Sequence, residues 1–425
     1  MSDPAMELAA ETGVSISEII DQGGLTTVFQ PIVSMRDRCV VGMEALSRGR
    51  HPLTGRVIPP ADLFGAAREP ETLLALDRAC RETALGMFRR LKPPGEECML
   101  WLNFETSLLD SIEVGTGRLF ESVRKVGLRP RDLVIEIIET NVRNLDALIR
   151  FVEIYRNHGF HIALDDVGAG RSNLERIALL KPDIIKIDRF LIQDMDREHH
   201  KQELVRSLLH LARGTGALVV AEGVETREEA LTALNLGLNL FQGYFFARPS
   251  DDWAGSHETA RSTMDLMAAP FREAKVQRIK DRKAYHAKLD RIMRDILDPL
   301  CRNPDDDGIL IEALKRYPGL ECLYILDENG VQTTETYCSG AKLLRRPSPL
   351  FRPAPKGTDQ SLKDYFLLIQ AGLPQFASEP YISRASGSLC LTVSRVFESV
   401  DGRRCVLCAD FDCGDVPGIT PKPGC

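Results

Sequence analysis

Two adjacent carboxylates, Asp165 and Asp166, close the short apolar run His161–Leu164. A glycine-rich turn follows, then a helical pattern through Leu174, Ile177 and Leu180, then a second apolar run ending in Lys186 and Asp188. This is strand, acidic loop, helix, strand, charged end, and parallel α/β folds place their chemistry at such C-terminal strand ends. Taken alone, Asp165 is equally a helix cap with Asp166 as its solvated neighbour. The functional reading gains from Glu44, Asn103, Glu136, Glu222 and Gln242, each of which sits in or at the end of another apolar run. Carboxylates with one amide form a hard, oxygen-only ligand set, which favours Mg²⁺ or Mn²⁺ over zinc. Two such ions about 3.5–4 Å apart would polarise a phosphodiester and lower the pKa of a bridging water. Lys186 is placed to orient that water or offset developing charge, and Glu222 to accept its proton. His158 and His161 lie near the acidic loop and read as structural.

The runs that carry these residues alternate with helical patterns. TTVFQPIV (26–33) and VVGMEAL (40–46) read as two strands joined by the polar turn Met35–Arg38, which predicts a hairpin. CMLWLNF (98–104), LVIEII (133–138), the two runs around Asp165 and Lys186, ALVVAE (217–222) and LFQGYFF (240–246) read as further strands. Helices are predicted over 59–90 in two pieces broken near Pro70, and over 119–126, 145–159, 203–214 and 227–236. The helix over 203–214 should bury Leu204, Leu208 and Leu211. Most strands are continuous apolar runs, as in sheets covered on both faces. About eight strands in roughly 230 residues, with polar groups at successive ends, predict a TIM-like (β/α)8 barrel whose opening hairpin is antiparallel.

Composition narrows the class. Of 425 residues, 44% are hydrophobic and 27% charged, as in ordinary globular chains. No apolar run reaches the roughly 18 residues a membrane span needs, and MSDPAMELAAETG has neither basic nor apolar signal-peptide regions, so a cytoplasmic location is expected. A net charge of -7 argues against a nucleic-acid polymer or an anionic membrane as partner. A phosphate-bearing substrate would need cations at so acidic a site. The 11 cysteines are expected as free thiols. Cys405-x2-Cys408-x4-Cys413 has one metal-like spacing, but in a strand Cys405 and Cys408 face opposite sides.

The character changes after Pro249. Residues 256–300 form a long helical stretch rich in Lys, Arg and Asp, with Leu289, Ile292, Met293, Ile296, Leu297 and Leu300 on one face. That face predicts a connecting or dimer-forming helix, one that can pair with its copy, so a homodimer is expected. Beyond it, a strand at 322–326, a turn at 327–330, a helix at 361–372 and strands at 388–396 and 405–411 predict a smaller α+β domain. The division is therefore a flexible start at 1–15, a barrel at 16–252, a connector at 253–300, a second domain at 301–416 and a tail at 417–425.

The ordered set FQPIVS (29–34), EALSR (44–48), WLNF (101–104), EIIE (136–139), DDVGAG (165–170), KPDIIKID (181–188), VVAEGVET (219–226) and QGYFFARP (242–249) resembles the EAL-domain cyclic di-GMP phosphodiesterases. The resemblance covers about residues 16–252. It implies a TIM-like barrel with an antiparallel first strand and hydrolysis of cyclic di-GMP to linear pGpG. It further implies one ion at Glu44, Asn103, Glu136 and Asp165, and a second at Asp165 and Asp166. Lys186 and Glu222 would serve the attacking water. Gln30, Leu46, Arg48, Asp188 and Gln242 would contact substrate or order the site, and Glu139 would brace the loop from Asp165 to Leu174. The chain departs from the family pattern at Val167 (usually Phe), Ile138 (usually Thr) and Arg171-Ser172-Asn173 (usually aromatic-Ser-Ser), all around that loop.

YILDENGVQ (324–332), GTDQSLKDYF (357–366), EPYISRASGSLCLTVS (379–394) and CVLCADFD (405–412) resemble a Cache-type, PAS-like sensor domain. That implies an unidentified small-molecule ligand and regulation of the barrel; the alternative is a dimerisation module with an empty pocket. The alternative for the whole chain is a catalytically silent cyclic di-GMP receptor, and the complete set of acids favours the enzyme.

Overall fold

The first strand, β1 (Leu25–Ser34), turns back through Met35–Arg38, with Arg38 in the left-handed region at φ 53°, and pairs antiparallel with β2 (Cys39–Arg50). In the computed structural model, which describes residues 15–110, 117–138, 144–169, 173–340 and 352–413, this hairpin starts a closed sheet. From β2 the order runs through β4 (Met99–Phe104), β5 (Leu133–Ile138), β6 (His161–Val167), β7 (Ile184–Ile187), β8 (Leu218–Ala221) and β9 (Leu240–Phe241). These neighbours are all parallel, and β9 returns to β1 antiparallel, closing the ring. The expected eight-stranded barrel with one reversed strand is therefore the observed fold. A ninth strand, β3 (Val57–Ile58), pairs with the end of β2 outside the ring. Two residues carry no period, so no sequence pattern announces it.

Helices cover the barrel. The break near Pro70 falls between helices Pro60–Ala66 and Pro70–Leu91, each with proline in its first turn, where a missing N–H costs nothing. Two expected faces are corrected. Helix His199–Thr215 buries Val205, Leu209 and Ala212, one position on from the predicted stripe, and Leu204 is exposed. Ile177 and Leu180 are buried, but Leu174 is exposed.

The chain divides into two compact units between Arg272 and Glu273, inside the helix Trp253–Arg302. The stretch read as a connector is thus shared. Trp253, Ala260, Met264 and Met267 belong to the barrel's core cluster, and Tyr285 to Leu300 belong to that of the second unit. Pro270 lies just before the division, where a helix lacks one N–H and its hydrogen bond.

The second unit is built on an antiparallel sheet ordered β11 (Tyr337–Cys338), β10 (Leu320–Leu326), β15 (Arg404–Asp412), β14 (Leu389–Glu398) and β12 (Gln375–Ala377), with β13 (Tyr381–Ile382) also on β14. Both faces are covered, so successive residues of β10 and β15 are buried on opposite sides. Leu323, Ile325, Leu407 and Ala409 join the cluster that holds Leu289, Ile292, Met293, Ile296, Leu297 and Leu300. Tyr324, Leu326, Val406 and Cys408 join Tyr365, Phe366 and Ile369 of helix Asp364–Gln370. This overturns the pairing expected of residues 289–300: that apolar face is buried against the chain's own sheet and is not offered to a second copy. Cys405 and Cys408 do lie on opposite faces. Among the described residues the free-thiol expectation fails at one place, a Cys322–Cys338 disulfide between residues directly opposite on β10 and β11, 4.1 Å apart at Cα.

Candidate functional site

At the C-terminal ends of the barrel strands, Lys186 is 1% exposed and its Nζ is the hub of an acidic cluster. It lies 2.5 Å from Glu222 Oε1, 2.7 Å from Glu136 Oε1, 3.3 Å from Asp165 Oδ1 and 3.7 Å from Glu44 Oε2. These residues come from β2, β5, β6, β7 and the end of β8, so closure of the sheet is what brings them together. Asn103 Nδ2 donates to Glu44 Oε1 at 2.8 Å, and Gln242 Nε2 donates to Glu44 Oε2 at 2.5 Å and to Gln30 Oε1 at 3.2 Å. Gln30 donates in turn to the Ala247 carbonyl. One amide chain thus ties β1, β4 and the segment after β9 to Glu44.

Asp165 and Asp166 are neighbours in a strand, and regular pleating would send them to opposite faces. The register of β6 against β7 shifts between Leu164 and Val167, and Asp166 takes φ 56°. A bulge with one left-handed residue re-aims a side chain. Here carboxylate oxygens of Asp165, Asp166 and Glu222 lie within 4.8 Å of one another. Gly223, immediately after Glu222, has φ 63°, and a Cβ there would run into the Arg189 side chain. Only glycine suits that turn.

Five carboxylates face one lysine, a formal charge of -4 from the named groups. Burial and the anions of Glu44 and Asp165 push Glu136 well above the usual carboxylate range, against the pull of Lys186. Burial likewise raises Glu222 well above it. Asp166 is raised to about 6 by burial, then by Asp165 and Asp188. Glu44 ends below its ordinary value because Lys186, Gln242 and Asn103 outweigh its burial. Burial would discharge Lys186, but the surrounding acids hold its pKa far above normal. Glu136 Oε2 is buried with no hydrogen-bond donor among the described residues. An excess of buried anions with an orphaned carboxylate oxygen fits divalent cations, and the all-oxygen donor set fits Mg²⁺, Mn²⁺ or Ca²⁺.

The other expected site residues sit further out. Leu46 and Arg48 are half-buried on β2, and Arg48 Nη1 donates to the Ser47 carbonyl at 2.8 Å. Asp188 is half-buried and caps the short helix Arg189–Ile192, accepting from Phe190 N at 2.8 Å. Glu139 and residues 170–172 lie outside the described residues, so the bracing of the acidic loop does as well.

Sequence reasoning missed two supports. Asp77 and Arg81 form a buried ion pair on helix Pro70–Leu91; Asp77 Oδ1 accepts from Glu105 N at 3.4 Å, and the Arg81 guanidinium lies 4.4 Å from the centre of the Phe104 ring. Together they hold the chain just after Asn103, beside a cavity of about 400 Å³ that Leu46, Ser47 and Phe64 also line. An i,i+4 charge pair normally marks a solvated helix face, so its pattern gives no sign of burial. The second support is Glu229, 3% exposed, which accepts from the backbone N–H of Asp194, Glu225 and Thr226 and fixes the loop after Glu222. Its signal was available: Thr226-x-x-Glu229 is a capping box.

Residues 14–249 match the family model described as EAL domain. The chain is 29% identical over 247 residues to the cyclic di-GMP phosphodiesterase RocR of Pseudomonas aeruginosa, covering 55% of this chain and 60% of that one. It is 31% identical over 240 residues to the probable cyclic di-GMP phosphodiesterase PdeI of Escherichia coli, covering 55% of this chain and 30% of that one. The chain therefore spans less than two thirds of the length of these curated relatives. Among solved structures, the Bacillus subtilis YkuI protein, with an EAL domain and in complex with substrate c-di-GMP and calcium, superposes with a TM-score of 0.78 over 97% of this chain and 99% of its own. At 23% identity that likeness speaks for the fold, second unit included. With 236 of 425 residues matched, more than half its length, this chain belongs to the EAL-domain family.

Proposed function

We propose that the barrel hydrolyses cyclic di-GMP to linear pGpG with two divalent ions, Mg²⁺ or Mn²⁺. The observation that carries the reading is the convergence of Glu44, Glu136, Asp165 and Glu222 on Lys186, with Asp166 alongside. Glu44, Asn103, Glu136 and Asp165 would hold one ion, and Asp165 and Asp166 the other. Bound ions would supply Lewis-acid polarisation of the phosphodiester and acidify the attacking water. Glu222, at the rim of the cluster, accepts the proton of that water. Lys186 holds Glu222 in place at 2.5 Å and offsets negative charge growing on the phosphate. Gln30 and Gln242 fix the Glu44 carboxylate. Leu46, Arg48 and Asp188, at the mouth, contact the nucleotide, and Glu139 braces the acidic loop.

The second unit is proposed as a Cache or PAS-like regulatory domain. A homodimer is retained in this reading, formed through surfaces other than the buried face of residues 289–300. A cytoplasmic location is also proposed; no helix among the described residues is long and apolar enough to cross a membrane. The test is turnover of cyclic di-GMP by the purified full-length protein with Mg²⁺ or Mn²⁺, followed by chromatography of the product. Appearance of pGpG supports the enzyme. Tight binding without turnover would make the chain a receptor.

A further inference from the structure

The end of the barrel opposite the acidic cluster carries a second group of ligating side chains. Glu96 and Cys98 lie in the short segment that leads into β4, and His257 lies in the first turns of helix Trp253–Arg302. A carboxylate oxygen of Glu96, the Cys98 Sγ and a ring nitrogen of His257 all lie within 4.8 Å of one another. Cys98 is 3% exposed, and Glu96 and His257 are half-buried. His257 Nε2 is 3.2 Å from Glu96 Oε1, yet that nitrogen is buried without an aligned hydrogen-bond partner among the described residues. The other oxygen, Glu96 Oε2, accepts from Trp253 Nε1 at 3.3 Å. The Trp253 ring stacks on the His257 imidazole, with centroids 5.1 Å apart, and packs edge-on against Phe29 and Phe88 of the core. One anchored indole therefore holds both the carboxylate and the imidazole. Beside them is an open cavity of about 450 Å³, whose walls include Arg38, Glu97, Glu258 and Arg261, two charges of each sign.

A simple Glu–His ion pair would align a ring N–H with the carboxylate oxygen and would not call for a thiol. Ligands of one metal ion are arranged otherwise: their lone pairs point at the ion, and the ligand atoms mark the corners of a tetrahedron. With zinc bonds of about 2.0–2.3 Å, the edges of that tetrahedron are about 3.3–3.6 Å. The nitrogen–oxygen separation is already close to that, and the full triangle needs little more than about an ångström of closure. Thiolate, imidazole and one carboxylate form a borderline-soft set, suited to Zn²⁺ and unsuited to Mg²⁺. The indole that fixes Glu96 and His257 is the kind of outer support that orients metal ligands. We propose that Glu96, Cys98 and His257 bind one Zn²⁺ ion, with water from the cavity as the fourth ligand. Burial keeps the Cys98 thiol protonated until the ion arrives, and binding replaces its S–H bond by a sulfur–zinc bond and releases the proton to solvent. The ion ties the segment before β4 to the first turns of helix Trp253–Arg302, at the strand N-termini, where barrel residues serve stability. The site uses none of the residues assigned to hydrolysis and does not depend on that assignment.

Titration of the full-length protein with Co²⁺ tests it, in buffer without added thiol and with excess Mg²⁺ to occupy the all-oxygen ligands. Co²⁺ takes tetrahedral zinc sites and reports its ligands by colour. A thiolate ligand adds a charge-transfer band in the near ultraviolet that oxygen ligands alone do not give. The expected result is a saturable band of this kind, removed when Zn²⁺ is added. Cys98→Ser should abolish the band, and His257→Ala should weaken the Co²⁺ affinity it reports at least tenfold. Because Cys98 is buried, His257→Ala, at a half-buried position, decides alone if the serine variant fails to fold. A titration without the band overturns the proposal. So does a band that persists in folded Cys98→Ser protein, or an affinity that His257→Ala leaves unchanged.

Discussion

Replacing Lys186 by methionine removes the one cation that, among the described residues, is ion-paired with the acidic cluster, while keeping most of the side chain's volume. Its Nζ lies within 3.7 Å of four carboxylates and the residue is 1% exposed, so its charge is shielded from solvent and spent on those acids. Removing one partner of a buried ion pair costs about 3–5 kcal/mol. With no divalent ion present, the Lys186→Met protein should lose about that much, and the barrel's unfolding midpoint should drop by roughly 10 °C. The pH dependence follows from the acids. Glu136 and Glu222 titrate well above the ordinary carboxylate value in the folded protein, so they take up protons as pH falls and relieve the repulsion. The deficit should therefore shrink toward pH 5 and widen toward pH 8. Added Mn²⁺ should raise the midpoint more in the variant than in wild type, because the lysine no longer opposes the cation. The assay is differential scanning calorimetry in chelator and in Mn²⁺, at both pH values. A variant that melts with wild type in chelator at pH 8 would refute the view that Lys186 neutralises this cluster.

The remaining predictions rest on single groups. Glu222→Gln keeps size and removes the proposed base; turnover of cyclic di-GMP should fall by about 10²–10⁴-fold with substrate binding retained, and an unchanged rate would remove Glu222 from that role. Asp410 is raised to about 7 by burial, so the folded state holds its proton more tightly than the unfolded chain does. Its contribution favours the second unit below pH 4 and is lost as pH rises through 7, by about 4 kcal/mol at most. Chemical denaturation between pH 5 and 8 should show this slope, and Asp410→Asn should flatten it. Burial pushes the Cys98 thiol to about 12 and Cys80 to about 11, whereas Cys39 is exposed. A thiol reagent at pH 8 should modify Cys39 and leave Cys80 and Cys98 unreacted until the protein unfolds.

The barrel was legible because its strands are buried on both faces and read as unbroken apolar runs, and because each ends in a polar residue with no structural reason to be there. The reversed first strand was legible from the four-residue turn at Met35–Arg38, too short for a parallel crossover. What sequence patterns could not deliver was the bulge at Asp165–Asp166. Alternation places those two side chains on opposite faces, and only the register shift against β7 and the positive φ of Asp166 unite them. The Asp77–Arg81 pair was hidden for the opposite reason, since its spacing is typical of a solvated helix face. Residues 289–300 show a further limit. Periodicity identified the apolar stripe correctly but is silent on what covers it, and the covering surface, the sheet of β10, β14 and β15, begins some twenty residues further along the chain.

The most direct test of the account is a paired measurement on the purified protein. Hydrolysis of cyclic di-GMP is followed with Mg²⁺ or Mn²⁺ present, and then in excess chelator. The cluster around Lys186 predicts steady production of the linear dinucleotide with the ions, loss of activity in chelator and recovery when the ions return. Equal turnover in chelator would contradict the role given to the five carboxylates, and saturable binding without any product would contradict hydrolysis itself.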